Sequence, residues 1–232
     1  QRIIGEIKDL QSRYGTKGIY FINDNFTLRK KETAELCNLM LENKLNLEWV
    51  CDTRVDLVND ELLALMSKAG CKTIWFGVES ASEQVLQRIG RNTKVEQVEL
   101  AFKLCKKNHI KTACSFMLGL PGETLADMET SLKFAKKIDP DWCQFNTFIA
   151  YPDSRLYNDL LESGKYVKLD EFLLSVKSDE YTYEDLQAIQ RRFFKEFHMT
   201  PKQILKRVRR EGALNFAKRR LLGGTRKTSG MA

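Results

Sequence analysis

The stretch NDELLALMSKAGCKTIWFGVES, residues 59–80, contains one complete helix-to-strand unit. Asn59 is a typical N-cap residue, the apolar residues up to Lys68 recur at helical spacing, and Gly70 is typical of the position just after a helix C-terminus. Residues 72–78 then form an apolar run of strand length that is rich in β-branched and aromatic side chains. The stretch therefore predicts a helix followed directly by a strand.

Runs of this strand type recur along the chain, separated by amphipathic helical segments. This alternation is typical of βα units around a parallel sheet. Five similar units favour a barrel or partial barrel, although periodicity alone leaves an open doubly wound sheet as the alternative. Helix starts are also indicated at Thr93, Thr124 and Thr182, because an acidic residue follows each of them three positions later. The five predicted strands are residues 17–23, 47–53, 72–78, 111–118 and 142–150.

The composition is typical of a folded globular protein. Hydrophobic residues make up 43% and charged residues 30% of the 232 residues. No apolar run approaches the roughly 20 residues of a membrane helix, so no transmembrane segment is predicted. The six cysteines are widely spaced and there are only two histidines. We therefore expect no metal site in this chain, and reduced, buried thiols in a cytoplasmic protein.

The net charge of +7 is concentrated at one end of the chain. Residues 201–232 contain ten Lys or Arg residues against Glu211 alone, which leaves the other 200 residues with a net charge of about −2. A nucleic-acid-binding domain carries its basic residues on the folded face, so no specific nucleic-acid partner is predicted. The basic tail is either a solvated or packing helix, or a contact for RNA, a membrane surface or a partner domain.

The residues within each strand predict one apolar and one polar face, because side chains alternate along a strand. In the second strand, Trp49 faces opposite to Asp52 and Arg54. If the apolar face contacts the helices, the polar face lines a lumen. Asp24, Arg54 and Glu79 then fall at the carboxyl ends of strands, where α/β folds bind ligands. The alternative is that these are exposed charges where strands lead into loops.

The pattern changes after Tyr157. Residues 159–176 show no clear strand, and helical segments follow at 183–199 and from 202 to about 222. The last ten residues are rich in Gly, Ser, Thr and Lys, which is typical of a disordered end. We therefore expect a core barrel over residues 1–164, a helical extension over 165–222 and a disordered tail over 223–232.

Four short segments, in this order, carry a family resemblance. YFINDNF at 20–26 covers the end of a predicted strand and the polar turn that follows it. FGVES at 76–80 covers the end of another strand and the carboxylate and hydroxyl residues that follow. FMLGLPGET at 116–124 ends a strand on a Gly-Pro turn, and YPDSRLY at 151–157 follows the last strand. Together they resemble the radical S-adenosylmethionine (SAM) superfamily, in the branch whose members often carry an upstream cobalamin-binding domain. The resemblance covers about residues 1–210.

The resemblance implies a six-stranded partial barrel whose first strand leads into a CxxxCxxC loop that holds a [4Fe–4S] cluster. In that family SAM binds the open iron, and an electron from the cluster cleaves it to a 5′-deoxyadenosyl radical. The present sequence contains no CxxxCxxC, and its first strand resembles the family's second. We therefore expect an α/β fold, a partial (β/α)6 TIM-like barrel that lacks its first strand. The chain would be truncated after the cluster loop or, alternatively, would be a natural cluster-free homologue.

Position by position, the resemblance implies SAM-binding residues but no identifiable catalytic residue. Asp24 and Asn25 would lie near the methionine moiety, and Arg54 would pair with its carboxylate. Glu79 and Ser80 would contact the ammonium group or the ribose hydroxyls. Without a ligand, the alternative role for Glu79 is a salt bridge with Arg54.

The adenine would contact backbone and apolar surface at Met117, Gly119 and Tyr151. The implied function is a fragment of a radical SAM enzyme that acts by hydrogen abstraction or cobalamin-assisted methyl transfer on an unknown small-molecule or lipid-like substrate. Its cofactors would be SAM, a [4Fe–4S] cluster without ligands in this chain, and cobalamin where an upstream domain binds it. The electron donor would be of the flavodoxin or ferredoxin type.

This chain alone is expected to be inactive. It is also expected to be poorly soluble, because the strand at 17–23 would leave an unpaired edge. The alternative function is a cluster-free barrel homologue that acts as a binding module through its basic tail.

Overall fold

The computed structural model describes residues 1–211, whose main feature is a five-stranded parallel sheet in the order β1-β2-β3-β4-β5. The strands are β1 (Gly18–Phe21), β2 (Glu48–Thr53), β3 (Cys71–Glu79), β4 (Lys111–Leu118) and β5 (Trp142–Thr147). The helices that precede and connect them are α1 (Arg2–Tyr14), α2 (Lys30–Glu42), α3 (Asp60–Lys68), α4 (Glu83–Arg88), α5 (Val95–Lys107) and α6 (Leu125–Ile138).

This architecture confirms the predicted α/β class and the partial barrel, because the strands are parallel in sequential order and the sheet of the described residues does not close on itself. All five predicted strands are present. The fifth ends at Thr147 rather than at residue 150, because Ala150 leaves the sheet and forms an isolated bridge with Leu174. Asn59, Thr124 and Thr182 cap helices as predicted. The Thr93 cap is wrong, because α5 starts at Val95 and follows Lys94 instead.

After β5 the chain forms α7 (Arg155–Ser163), a small antiparallel hairpin of β6 (Tyr166–Lys168) and β7 (Leu174–Val176), and the helices α8 (Tyr183–His198) and α9 (Pro201–Glu211). The prediction that residues 159–176 lack strands is therefore wrong. Each of these strands has three residues, too few for an alternating pattern to show. The predicted helix at 183–199 is confirmed. The predicted continuation of the last helix to residue 222 and the disordered tail at 223–232 lie outside the described residues.

The core lies between the sheet and its covering helices. Trp49, Phe76, Phe116 and Phe145 are fully buried on the apolar face of the strands. The opposite face, which includes Asp52, is only partly covered, which confirms the predicted polar lumen. All six cysteines are reduced and buried, as expected.

The two outer strands of the sheet differ in how their edges are treated. Helix α8 packs along β5, where Gln190 Nε2 donates to the Phe145 carbonyl over 2.7 Å and His198 Nε2 lies 2.7 Å from the Cys143 carbonyl oxygen. Strand β1 pairs only with β2 among the described residues. Covering a free edge with a helix is a common protection against unwanted strand pairing. One edge of the sheet is thus covered and the other is open.

No helix within residues 1–211 combines the length and the apolar character that crossing a membrane requires.

Candidate functional site

A cleft of about 550 Å³ lies at the carboxyl ends of the first strands, on the polar face of the sheet. This is the end of a parallel α/β sheet at which ligands bind. Four of the predicted site residues meet there, namely Asp24, Asn25, Arg54 and Glu79. The cleft also contains Asp52, Trp75 and Arg91, which the sequence did not single out as site residues.

Glu79 is held in an unusual backbone conformation at the end of β3. Its φ is +68°, in the left-handed region, and the pairing of β3 with β4 shifts register between Gly77 and Glu79. The carboxylate pairs with Arg91, with 3.0 Å between Oε1 and Nη2. Burial raises the pKa of Glu79, and the positive charge of Arg91 opposes that rise. The ion pair therefore favours the ionised carboxylate inside the cleft.

Arg54 follows β2 and is fixed by its neighbour Asp56. Its Nε and Nη2 donate to the two carboxylate oxygens over 2.9 and 2.8 Å. These hydrogen bonds hold the pKa of Asp56 below its usual range. The alternative of an Arg54–Glu79 salt bridge is wrong, because Glu79 pairs with Arg91. These two hydrogen bonds to Asp56 leave three of the five guanidinium N–H donors of Arg54 for another acceptor.

Asn25 lies in the turn that follows β1. The turn is docked on β2 by the Phe26 N–H, which donates to the Asp52 carbonyl over 2.9 Å. The Asn25 side-chain oxygen, Oδ1, is buried and has no hydrogen-bond partner among the described residues. Buried polar atoms nearly always have a partner, so this oxygen indicates a missing donor. The neighbouring Asp24 is exposed at the mouth of the cleft.

Ser80 does not line the cleft. It is 1% exposed, and its hydroxyl donates to Glu123 Oε1 over 3.3 Å on the helix side of the sheet. Glu123 also accepts from the Gly119 and Leu120 N–H groups over 2.8 and 3.1 Å. Burial raises the pKa of Glu123 to about 7, and these hydrogen bonds oppose the rise. This network fixes the turn between β4 and α6.

The three residues expected at adenine also lie outside the 550 Å³ cleft. Gly119 has φ +81°, and a β-carbon there would come within 2.5 Å of Leu186 Cδ1, so the close packing of α8 requires glycine. Met117 is half-buried against a small apolar cluster, and Tyr151 is 63% exposed. Their assignment to adenine stays a prediction.

Further polar and aromatic groups lie on the same face of the sheet as the cleft. The Tyr20 hydroxyl donates to both Asp52 carboxylate oxygens, over 2.6 and 2.7 Å. Burial, together with this hydrogen bond, raises the pKa of Tyr20 to about 12. Asp52 and Trp75 are register partners on neighbouring strands. The alternation of side chains within the strands could have predicted Asp52 and Trp75 on the polar face. Arg91 lies in a loop, where the sequence contains no such pattern.

The family is established by comparison of the sequence with known proteins. The family described as the radical SAM superfamily matches residues 1–135. The chain belongs to the radical SAM superfamily. This superfamily uses SAM and a [4Fe–4S] cluster, as the resemblance of the four motifs predicted.

Individual relatives support the assignment. An uncharacterised methyltransferase of Pyrococcus horikoshii is 33% identical over 213 residues, which are 90% of this chain and 46% of that protein. The anaerobic magnesium-protoporphyrin IX monomethyl ester cyclase of Rubrivivax gelatinosus is 30% identical over 74% of this chain and 31% of its own length. The chain thus spans less than half the length of these curated relatives.

Solved structures share the fold. The radical SAM methyltransferase TsrM from Kitasatospora setae, with cobalamin and a [4Fe–4S] cluster bound, has a TM-score of 0.65 at 17% identity and matches 73% of this chain and 34% of its own. OxsB, a cobalamin-dependent SAM radical enzyme, has a TM-score of 0.52 at 20% identity over 69% of this chain and 25% of its own. The fold of the described residues is therefore shared with solved radical SAM enzymes.

The residues of this chain fit one of the two superfamily cofactors. The sequence has no CxxxCxxC, and no group of three or more Cys, His, Asp or Glu within residues 1–211 could hold a metal ion. Residues 1–211 therefore do not provide a cluster site. SAM fits better, because Asn25, whose side-chain oxygen lacks a partner, lines the same cleft as the Glu79 carboxylate and Arg54.

Proposed function

We propose that this chain forms the SAM-binding part of the barrel of a radical SAM enzyme that carries out cobalamin-assisted methyl transfer. One observation carries the proposal: Asn25, whose buried side-chain oxygen has no donor, lines the same cleft as a carboxylate and a fixed guanidinium. The methionine moiety of SAM has the complementary charges, an ammonium and a carboxylate. Hydrogen abstraction without methyl transfer is the alternative outcome of the same chemistry.

Four polar residues of the cleft have a role in this proposal, namely Asn25, Arg54, Glu79 and Arg91. Asn25 and the Glu79 carboxylate, whose ionised form Arg91 favours, would hold the SAM ammonium. The SAM carboxylate accepts from Arg54, whose rigid fork is already positioned by Asp56. Charge-assisted hydrogen bonds of this kind are about twice as strong as neutral ones. The methionine end of SAM is thereby oriented at the carboxyl ends of β2 and β3.

SAM bound next to a reduced [4Fe–4S] cluster supplies a 5′-deoxyadenosyl radical or a transferable methyl group. In this proposal the cluster thiolates are not residues of this chain, and a flavodoxin- or ferredoxin-type protein supplies the electron. The sequence relative described as a methyltransferase and the structural relative TsrM, a methyltransferase with cobalamin bound, support methyl transfer. The substrate is a small or lipid-like molecule. The six reduced, buried cysteines support the expected cytoplasmic location.

The test is equilibrium dialysis of this chain against radiolabelled SAM. Glu79→Gln and Arg54→Met are each expected to weaken binding about tenfold, since each removes a charge-assisted hydrogen bond. Glu171→Gln and Arg29→Met are matched controls, because both residues are exposed and neither lines the cleft. Unchanged affinity in Glu79→Gln would refute the assignment of the ammonium site.

A second measurement separates binding from chemistry. Incubation of this chain with SAM and dithionite is expected to yield no 5′-deoxyadenosine, because the chain provides no cluster site. Production of 5′-deoxyadenosine above the level of a protein-free control would contradict this expectation.

A further inference from the structure

The cleft contains a carboxylate, that of Asp52, which the proposed SAM site does not use. Asp52 lies on β2, and it precedes Arg54 by two residues on the same face of the strand. Two residues of strand correspond to about 6.6 Å. The Asp52 carboxylate therefore lies one step below the level at which Arg54 and Glu79 are proposed to hold SAM.

Asp52 has no cationic partner in the part of the chain that the structure describes. No nitrogen of a Lys, Arg or His residue within residues 1–211 lies within 4.0 Å of its oxygens. The two arginines of the cleft are already paired, Arg54 with Asp56 and Arg91 with Glu79. The Tyr20 hydroxyl occupies one lone pair on each Asp52 oxygen. A carboxylate can accept about four hydrogen bonds, so roughly two positions remain for a ligand.

An aromatic side chain flanks this carboxylate. Trp75 is the register partner of Asp52 on β3, so both side chains project from the same face of the sheet. Trp75 is half-buried, and no guanidinium lies over its ring among the described residues. Tryptophan is the side chain whose ring face attracts cations most strongly. A carboxylate beside an indole ring is suited to a positively charged nitrogen.

We propose that Asp52, Tyr20 and Trp75 form a substrate subsite for a protonated amine, below the SAM site in the lumen. The Asp52 carboxylate accepts from the ammonium, Tyr20 fixes the orientation of that carboxylate, and the Trp75 ring contacts the carbon that carries the nitrogen. This proposal deepens the proposed function by assigning a substrate class, and it rests on the proposed function for the role of that substrate. It involves binding alone, with no proton or group transfer.

The probe is benzylammonium, with benzyl alcohol as its neutral counterpart, and the readout is the Trp75 indole N–H resonance of the ¹⁵N-labelled chain. Loss of one indole resonance in Trp75→Phe assigns the signal among the three tryptophans. Benzylammonium is expected to shift this resonance with about tenfold higher affinity than benzyl alcohol. Equal affinities for the two probes would overturn the proposal.

Variants identify the group responsible. Asp52→Asn is expected to abolish the preference for the cation. Glu48→Gln removes the same charge from the same strand, at its exposed amino end, and is expected to retain the preference. Tyr20→Phe leaves the carboxylate in place and is expected to retain part of the preference for the cation. A preference that persists in Asp52→Asn would overturn the proposal whether or not Tyr20→Phe changes it.

SAM itself carries an ammonium and a sulfonium, so the titration is repeated with saturating SAM. Simultaneous binding of SAM and benzylammonium supports a separate subsite. Full competition, together with weaker SAM binding by Asp52→Asn, would assign the cation to SAM and overturn the substrate subsite. If SAM does not bind at all, the proposed function fails, while the benzylammonium titrations still report on Asp52.

Discussion

The carboxylate of Glu79 lies over the α-carbon of Gly77, two residues earlier on the same strand. A β-carbon built on Gly77 would lie only 2.6 Å from Glu79 Oε1. The left-handed backbone at Glu79 and the register shift beside it turn the side chain back over this position. The missing side chain of Gly77 is therefore what admits the carboxylate into the cleft.

Gly77→Ala is expected to displace the Glu79 carboxylate and to weaken SAM binding about tenfold. The added methyl group is expected to cost about 1–3 kcal/mol in the free energy of unfolding, as overpacking does. Dialysis and urea denaturation measure the two effects. Gly5→Ala is the control, because a β-carbon at this helical position meets nothing within 4 Å. That variant is expected to gain about 0.5–1 kcal/mol in the free energy of unfolding. Wild-type SAM affinity in Gly77→Ala would contradict the role of Gly77.

The pH dependence of SAM binding tests the ion pair between Arg91 and Glu79. Burial raises the pKa of Glu79 and Arg91 opposes the rise, so Arg91→Met is expected to raise this pKa further. Because only the ionised carboxylate attracts the SAM ammonium, the variant is expected to lose affinity at a higher pH than wild type as pH falls. Arg91→Lys is expected to restore much of the wild-type profile. Dialysis over a pH series measures the shift, and coincident profiles for Arg91→Met and wild type would exclude the mechanism.

Glu123 is expected to make the stability of the fold depend on pH. Burial raises its pKa to about 7, above its ordinary value of 4.5, so the folded state holds this proton more tightly than the unfolded state. The stabilisation from this group is complete below pH 4.5 and is lost as pH rises through about 7. Wild type is therefore expected to lose stability relative to Glu123→Gln between pH 5 and 8, by about 1.4 kcal/mol per unit of pKa difference. Urea denaturation of both proteins at pH 5 and pH 8 measures this loss. The same difference in unfolding free energy between wild type and Glu123→Gln at both pH values would contradict the prediction.

The covered edge of β5 is expected to depend on Gln190. Gln190→Ala leaves the Phe145 carbonyl without its side-chain donor, which is expected to cost about 1–3 kcal/mol in the free energy of unfolding. Gln187→Ala is the matched control, since Gln187 lies on the same helix and forms no hydrogen bond through its side chain among the described contacts. Equal unfolding free energies for the two variants would show that the hydrogen bond is unimportant.

The sequence predicted those parts of the fold that depend on local pattern. The five strands were found because their apolar residues alternate or run continuously, and because the helices between them have recognisable caps. The hairpin of β6 and β7 was missed, since its position depends on a bridge between Ala150 and Leu174, which are far apart in sequence. Short strands held by tertiary contacts leave little local signal.

In the candidate site, too, the features that depend on local pattern were predicted and those that depend on tertiary contacts were not. Asp24, Arg54 and Glu79 were expected at strand ends and do meet in the cleft. Ser80 was expected beside Glu79, but its side chain lies on the helix side and joins Glu123 instead. The partner of Glu79 could not be predicted, because Arg91 reaches it from a loop whose path depends on the packing of α4.

Because the two outer strands differ, a further strand can be added to the sheet at one edge only among the described residues. Within the described residues, the β5 edge is closed by side chains of α8, whereas β1 offers unpaired backbone groups. A strand that extends this sheet, from whatever polypeptide it comes, becomes the neighbour of Tyr20 and forms a new wall of the lumen above Asp52. The addition of a strand next to β1 would thus also enclose the ligand.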